Sequence, residues 1–408
     1  MTTQATQVHA PGAAGGAALE SAPPSLCIIL PGEKASPMVW TESPGERLRR
    51  QFAAKGVVRD VAPDQLDREG GPVLLLRGDA VLDAPLIEAL AARPGALLRG
   101  DGDDGATLLA AHAPAGRAAA AARLLSGEED PASAGAFQKL SPTELSSDYW
   151  QALRKREKPY ALCVTEENRR RTEWRMFMGT YKGATDFVTK WLWPRPAFHI
   201  TKLCARLGIS PNAVTYVSLV LVFAALYWFW TGDWFLGLAA GWLMTFLDTV
   251  DGKLARITLT SSKFGNALDH GIDLIHPPFW YLAWGLGLAG GPLALTNEQL
   301  IYAMVLIFAG YILQRVIEGL SILFFKIEIH VWRPIDSLFR QITARRNPNL
   351  VLLTISALAG RPDLGLWAVV IWTTACLFLH CLQLIQAWLI WRRDGQLVSW
   401  MAKSTAAP

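Results

Sequence analysis

The chain has 408 residues, 51% of them hydrophobic and 18% charged, with a formal net charge of +4. So small a positive balance makes no case for nucleic acid, and the length leaves room for two or three domains. Apolar residues are concentrated after position 212, which separates a soluble front from a membrane-embedded back.

Residues 1–25, rich in Ala, Gly, Pro and Ser, read as a disordered leader, with no basic start and apolar core to mark a signal peptide. LCIIL at 26–30 and PVLLLRGDAV at 72–81 are short apolar runs. Each precedes a helical pattern, SPGERLRRQFAAKGV at 43–57 and APLIEALAARP at 84–94. This alternation predicts a small α/β domain with a parallel sheet over 26–140. Asp79 falls at a strand end in Gly-Asp, a turn pairing. GDGDDGA at 100–106 and SGEEDPASAGA at 126–136 read as solvated loops, because neither follows the spacing of a Ca²⁺ loop. Residues 141–183 are highly charged and read as a helical surface linker. The cysteines (Cys27, Cys163, Cys204, Cys376, Cys381) form no CxxC pair and have no His at ligand spacing, so they read as reduced packing residues.

FVTKWLWPRPAFHITKLCARLG at 187–208 interleaves aromatics with bases, which suits a helix lying in a membrane interface or, alternatively, a soluble packing helix. SPNAVT at 210–215 opens the first span, with Ser210 as cap and Pro211 in the first turn. Apolar segments follow at about 212–230, 234–255, 266–290, 299–325, 349–361 and 365–391, the fifth being short. Loops after the first, third and fifth carry one Arg and no Lys. Those after the second and fourth hold Arg256, Lys263, Lys326, Arg333, Arg340, Arg345 and Arg346, and the tail adds Arg392, Arg393 and Lys403. Positive charge belongs in the cytoplasm, so both termini are expected there. The expected fold is an all-α six-helix transmembrane bundle over 184–395, preceded by the cytosolic α/β domain and followed by a cytosolic tail, 396–408.

Between the second and third spans lies DTVDGKLARITLTSSKFGNALDHGID, residues 248–273. Asp248 and Asp251 are three apart and Asp269 and Asp273 four apart, so each pair shares a helix face. Two such faces turned together make a carboxylate cage suited to Mg²⁺, Mn²⁺ or Ca²⁺. An ionised Asp at membrane depth costs roughly 2.5–3.5 kcal/mol, so four need a cation or water; the alternative is solvated caps at cytoplasmic helix ends. Arg315 and Glu318, inside the fourth span, either pair as i, i+3 neighbours or leave Arg315 for an anionic ligand. His270 and His276 flank acids without a metal-site pattern and read as packing or supporting residues.

The run Asp248-x2-Asp251-Gly252-x2-Ala255-Arg256-x8-Gly265-x3-Asp269-x3-Asp273 resembles the signature of the CDP-alcohol phosphotransferases, integral-membrane enzymes of phospholipid synthesis, and the likeness extends over about 184–395. The resemblance implies transfer of a substituted phosphate from a CDP-linked donor to an alcohol, with release of CMP. It implies two divalent ions, Mg²⁺ or Mn²⁺, held by Asp248, Asp251, Asp269 and Asp273, with Asp273 also the general base. Asn212 and Thr215 resemble the family's PN-x-x-T element on the nucleotide side, together with Gly252, Ala255, Arg256 and Gly265. Ser262 is either a further nucleotide contact or a helix cap. Arg315, Arg333 and Arg345 are the candidates for an acceptor's phosphate.

The front resembles a cut-down nucleotidyltransferase in which Asp79 would help to bind metal and nucleotide. It departs from that pattern where PGEKASPMVW replaces the Gly-rich loop, leaving a non-catalytic or regulatory relic, a working cytidylyltransferase or an unrelated α/β fold open. By resemblance the donor is CDP-diacylglycerol and the acceptor inositol phosphate or another polar headgroup. A CDP-headgroup with a lipid alcohol is the reversed alternative, and a scaffold or transporter the non-enzymatic one. A homodimer among membrane lipids, in a bacterial inner membrane with the active site facing the cytoplasm and no nucleic-acid partner, completes the expectation.

Overall fold

The computed structural model describes residues 36–53, 71–101, 107–128, 135 and 137–402, and 26–30 by backbone. The leader and parts of both acidic runs lie outside the described residues. The front builds β1 (Leu26–Leu30), α1 (Pro44–Ala53), β2 (Val73–Arg77), β3 (Ala80–Leu82), α2 (Ala84–Ala91), β4 (Ala96–Arg99), β5 (Leu108–Ala113) and α3 (Ala118–Ser126). It continues through β6 (Gln138–Leu140), α4 (Pro142–Leu145), β7 (Tyr149–Trp150), β8 (Lys155–Arg156), β9 (Ala161–Cys163) and α5 (Arg169–Gly179).

The main sheet has the order β1-β2-β5-β4-β6. It is mixed, not parallel as expected: β1 and β2 are parallel, as are β4 and β6, but β5 runs antiparallel to both β2 and β4. The short connection from Arg99 to Leu108 is the reason, since a parallel crossover needs a dozen or more residues. Alternation along β2 sends Leu74 and Leu76 to a core with Leu48, Leu86 and Leu98, and Val73 and Leu75 to one with Leu97, Ala121 and Leu124.

The segment 141–183 is no surface linker. β9 pairs antiparallel with β3, and Met176 and Phe177 of α5 are buried in a cluster with Trp40, Val250 and Leu254. Its charges are matched internally, which a reading of exposed charge misses: Glu173 accepts from the Trp40 amide at 3.2 Å and from the Lys202 ammonium.

A wide helical turn (Val188–Leu192) leads into α6 (Pro194–Arg206), α7 (Pro211–Thr231), α8 (Trp234–Ile257), α9 (Lys263–Gly287) and α10 (Asn297–Phe325). A short turn at Ile329–Val331 precedes α11 (Pro334–Ile342), α12 (Arg346–Leu358) and α13 (Pro362–Asp394). Ser210 caps α7, its Oγ accepting from Ala213 N at 3.2 Å. Among the described residues three helices, α7, α10 and α13, are long and apolar enough to cross a membrane, so the chain is a membrane protein. α12, with 13 residues, rises about 20 Å, short of a bilayer core.

Phe229, Trp280, Tyr281 and Trp284 form the buried centre of the bundle. The two indoles donate to the Val222 and Pro362 carbonyls, each at 2.9 Å, so their polar edges are satisfied there. The front grips the end of α8: Arg47 and Arg50 donate to the Ile257 and Thr258 carbonyls, each at 2.5 Å, placing cations where helix carbonyls lack partners.

Candidate active site

Helical spacing brings three of the four expected acids together at the facing ends of α8 and α9. One carboxylate oxygen from each of Asp248, Asp251 and Asp269 lies within 4.8 Å of the others. Asp251 is 3% exposed and its Oδ2 accepts from the Thr215 hydroxyl at 2.6 Å, which ties α7 to the cluster. Its Oδ1 is buried with no hydrogen-bond partner among the described residues. A buried carboxylate oxygen left without a donor, beside two further acids, fits a hard divalent cation.

Asp273 stands one turn beyond Asp269. Pro277 and Pro278 inside α9 carry no N–H, which frees the carbonyls four residues earlier, those of Asp273 and Leu274. The Tyr311 hydroxyl of α10 lies 3.3 and 3.0 Å from those two oxygens and supplies the missing donor. α9 therefore stays ordered through its prolines at the residue that carries Asp273.

Arg346, at the start of α12, enters from the opposite side. It donates to Asp248 Oδ2 at 2.7 Å through Nη2 and to Asp273 Oδ1 through Nη1. Three acids of the cluster thus contact a cation or a hydroxyl in the fold itself.

The expected nucleotide-side residues line a narrow cleft against Asp251 and Asp269: Asn212, Thr215, Gly252, Ala255, Ser262 and Gly265. A Cβ on Gly265 would stand 2.6 Å from Asn212 Oδ1 and would push that side chain aside where α9 approaches α7. Ser262 caps α9, its Oγ accepting from Gly265 N at 2.9 Å, and it also lines the cleft. Arg256 lines the adjoining cavity with its Nε buried and unpartnered among the described residues.

That cavity, about 510 Å³, holds Asp248, Asp269 and Asp273 on one wall and Arg315, Arg340, Arg345 and Arg346 on another. Arg315 and Arg345 both donate to Glu318, at 2.9 and 2.6 Å, so Arg315 pairs with Glu318 and still lines the cavity. Buried His330 lies 3.1 Å from the same carboxylate and donates to it, because an ionised carboxylate only accepts. Arg340 is held down to about 9 by burial and by Arg345.

Arg333 departs from the expectation. It does not line the cavity but grips Asp336 through Nε and Nη2, each at 2.9 Å, and Gln386 at 2.7 Å. The i, i+3 partner Asp336 was visible in the sequence as the reason. Conversely, Arg340, Lys182 and Arg154 in the cavity wall were not singled out as site residues, since no local pattern relates them to the aspartates. His270 lines the cavity at its exposed edge, and His276 is buried against Trp280.

Asp79 is 3% exposed and held bidentate by Arg77 at 2.9 and 2.6 Å, with the Cys163 thiol at 3.4 Å. Its oxygens are engaged in a structural pair.

The fold and site together define a membrane protein with a carboxylate cluster opening on a cavity that arginines and lysines also line. Residues 208–342, within the helical half of the chain, match the family model described as CDP-alcohol phosphatidyltransferase. The chain is similar to an archaetidylinositol phosphate synthase of Pyrococcus horikoshii, 37% identical over 99 residues, covering 24% of this chain and 50% of that one. It is also similar to a phosphatidylinositol phosphate synthase of Streptomyces avermitilis, 35% identical over 111 residues, 27% of this chain and 43% of that one. The chain thus spans about half the length of the curated relatives it matches. A solved structure, the Mycobacterium tuberculosis phosphatidylinositol phosphate synthase with CDP-DAG bound, aligns over 52% of this chain and all of that one, at 17% identity and a TM-score of 0.38.

Proposed function

We propose that the protein is a CDP-alcohol phosphotransferase that moves a substituted phosphate from a CDP-linked donor, CDP-diacylglycerol, to an alcohol acceptor of the inositol phosphate type, releasing CMP. The observation that carries this reading is the clustering of Asp248, Asp251 and Asp269 around a partnerless buried oxygen, beside a cavity lined by arginines. A donor diphosphate and an acceptor phosphate are both anionic, and such a cavity complements them.

Two divalent ions, Mg²⁺ or Mn²⁺, would be held by Asp248, Asp251, Asp269 and Asp273 and, when bound, neutralise the diphosphate and the departing CMP. The residues of the chain do the rest. Thr215 fixes the Asp251 carboxylate. Arg256 binds the donor's diphosphate or cytidine, and Gly252 and Gly265 keep the helix backbones accessible to the nucleotide. Asp273 accepts the proton of the attacking hydroxyl, its Arg346 contact shifting toward Asp248 as it does so. Arg315 and Arg345, oriented by Glu318, receive the acceptor's phosphate.

The further parts of the reading are a six-span bundle over 184–395, formed by α7, α8, α9, α10, α13 and the short α12, which crosses where the bilayer thins around it, and a non-catalytic front over 26–140. Both termini and the cavity face the cytoplasm of a bacterial inner membrane, and two copies pair through their membrane helices. Lys and Arg placement supports the orientation, and the Arg77–Asp79 pair supports the inert front.

The test is product analysis with radiolabelled CDP-diacylglycerol, Mn²⁺ and inositol phosphate, inositol, glycerol phosphate or serine. Label appearing in one new lipid together with stoichiometric CMP supports the reading. No product from any acceptor, with product formed from a CDP-headgroup and diacylglycerol, reverses donor and acceptor.

A further inference from the structure

The cavity beside the aspartates is partly roofed from outside the helical half. Arg154, Lys182, Thr185 and Asp186, all from the segment between the sheet and α6, line it together with the residues of α8 and α9. The segment is pinned. Arg154 sits in the left-handed region, φ 49°, and pairs with Glu328. Gly183 donates to Leu153 O at 3.0 Å and packs so closely that a Cβ there would stand 2.4 Å from Arg154 O and 2.7 Å from Lys155 Cα. A chain held backbone to backbone in this way presents Lys182 in a fixed place.

Lys182 makes no hydrogen bond or ion pair among the described residues. Burial, Arg154 and Arg256 lower its affinity for a proton, against the pull of Glu328 and Asp269. Lys253, 5% exposed, lines the same cavity with its ammonium 4.0 Å from the ring centroid of Tyr181, the neighbour of Lys182. Arg256 brings a third cation with an unpartnered Nε. The acids facing these cations are Glu328, Asp248, Asp251 and Asp269, and the three aspartates are the expected metal holders, so anionic oxygens of a ligand would complete the charge balance of the cations.

We propose that Lys182, acting with Lys253 and Arg256, binds phosphate oxygens of the substrate, so that the cytosolic segment is part of the substrate site. The inference rests on the transferase reading and names a residue from outside the matched family region. The oxygens belong either to the donor's diphosphate or to the acceptor's phosphate.

The experiment uses the full chain in detergent with Mn²⁺ and compares wild type with Lys182→Met, Lys182→Arg and Gly183→Ala. A lost hydrogen bond to a charged group predicts a KM about tenfold or more higher for one phosphate-bearing substrate in Lys182→Met, with kcat changed less. Lys182→Arg restores most of it, and Gly183→Ala, which must displace the roof, reproduces the rise. A higher KM for the CDP-linked donor assigns the diphosphate; a higher KM for the acceptor assigns its phosphate. Unchanged KM values for both in Lys182→Met, with wild type releasing CMP, overturn the inference alone. Calorimetric titration with CDP and with inositol phosphate separates the two claims. Weaker binding of either by Lys182→Met, in a protein that releases no CMP, retains the phosphate site and ends the transferase reading.

Discussion

Arg346 donates to Asp248 at 2.7 Å across 98 positions of sequence, and the same guanidinium reaches Asp273. The short helix α12 thereby carries a cation to an acid cluster built by two other helices. Removing one partner of a buried charge pair costs about 3–5 kcal/mol. Arg346→Gln should therefore lower the thermal midpoint strongly in chelator, and Mn²⁺ should recover more of the loss than it adds to wild type. An equal loss with and without Mn²⁺ would separate Arg346 from the ion site.

Thr215 tests the support given to the cage. Thr215→Val keeps the shape but removes the hydroxyl that donates to Asp251. Loss of such an outer partner typically costs 10–100-fold in metal affinity. The Mn²⁺ concentration for half-maximal CMP release should rise by about that factor and return in Thr215→Ser. An unchanged Mn²⁺ requirement in Thr215→Val would leave the hydrogen bond without a role.

For the front, Asp79→Asn should destabilise the protein by about 3–5 kcal/mol, because Arg77 loses its charged partner in a buried site. CMP release per folded molecule should not change, and no CDP-linked product should form from CTP in either protein. CTP-dependent product in wild type, lost in Asp79→Asn, would make the front an enzyme.

Asp83 provides a pH signature. Burial pushes its carboxyl up from 3.8 to about 6, against the pull of Lys155 and of the Ala84 amide. The folded state binds the proton more tightly than the unfolded one, so this stability is fully present below pH 3.8 and lost as pH rises past about 6. The difference between the two states corresponds to about 3 kcal/mol. Asp83→Asn, which preserves the helix cap, should flatten the fall of the thermal midpoint between about pH 3 and 7, which spans both values. An identical pH slope in the variant would contradict this.

What could be read from the sequence was local. Asp248, Asp251, Asp269 and Asp273 repeat at helical spacing within 26 residues, so the acid cluster is legible, whereas the Thr215 hydrogen bond to Asp251 is visible only in the fold. Arg346, Lys182 and Arg154 join the site only through tertiary packing, which no spacing encodes. The charged segment 141–183 looks solvated in the sequence because its compensating partners, such as Lys202 for Glu173, lie outside it. β5 was hidden behind Gly-, Asp- and Ala-rich neighbours, and with it the mixed character of the sheet.

The central claim, that the aspartate cage drives CMP-releasing transfer, is tested most directly by CMP release from CDP-diacylglycerol and inositol phosphate in Mn²⁺, wild type beside Asp273→Asn. Asp273→Asn keeps the side chain's size and its Arg346 neighbour while removing the base. The account predicts release by wild type and a loss of roughly 100-fold or more in the variant, at the low end of what a positioned general base contributes. Equal release by the two proteins would contradict it.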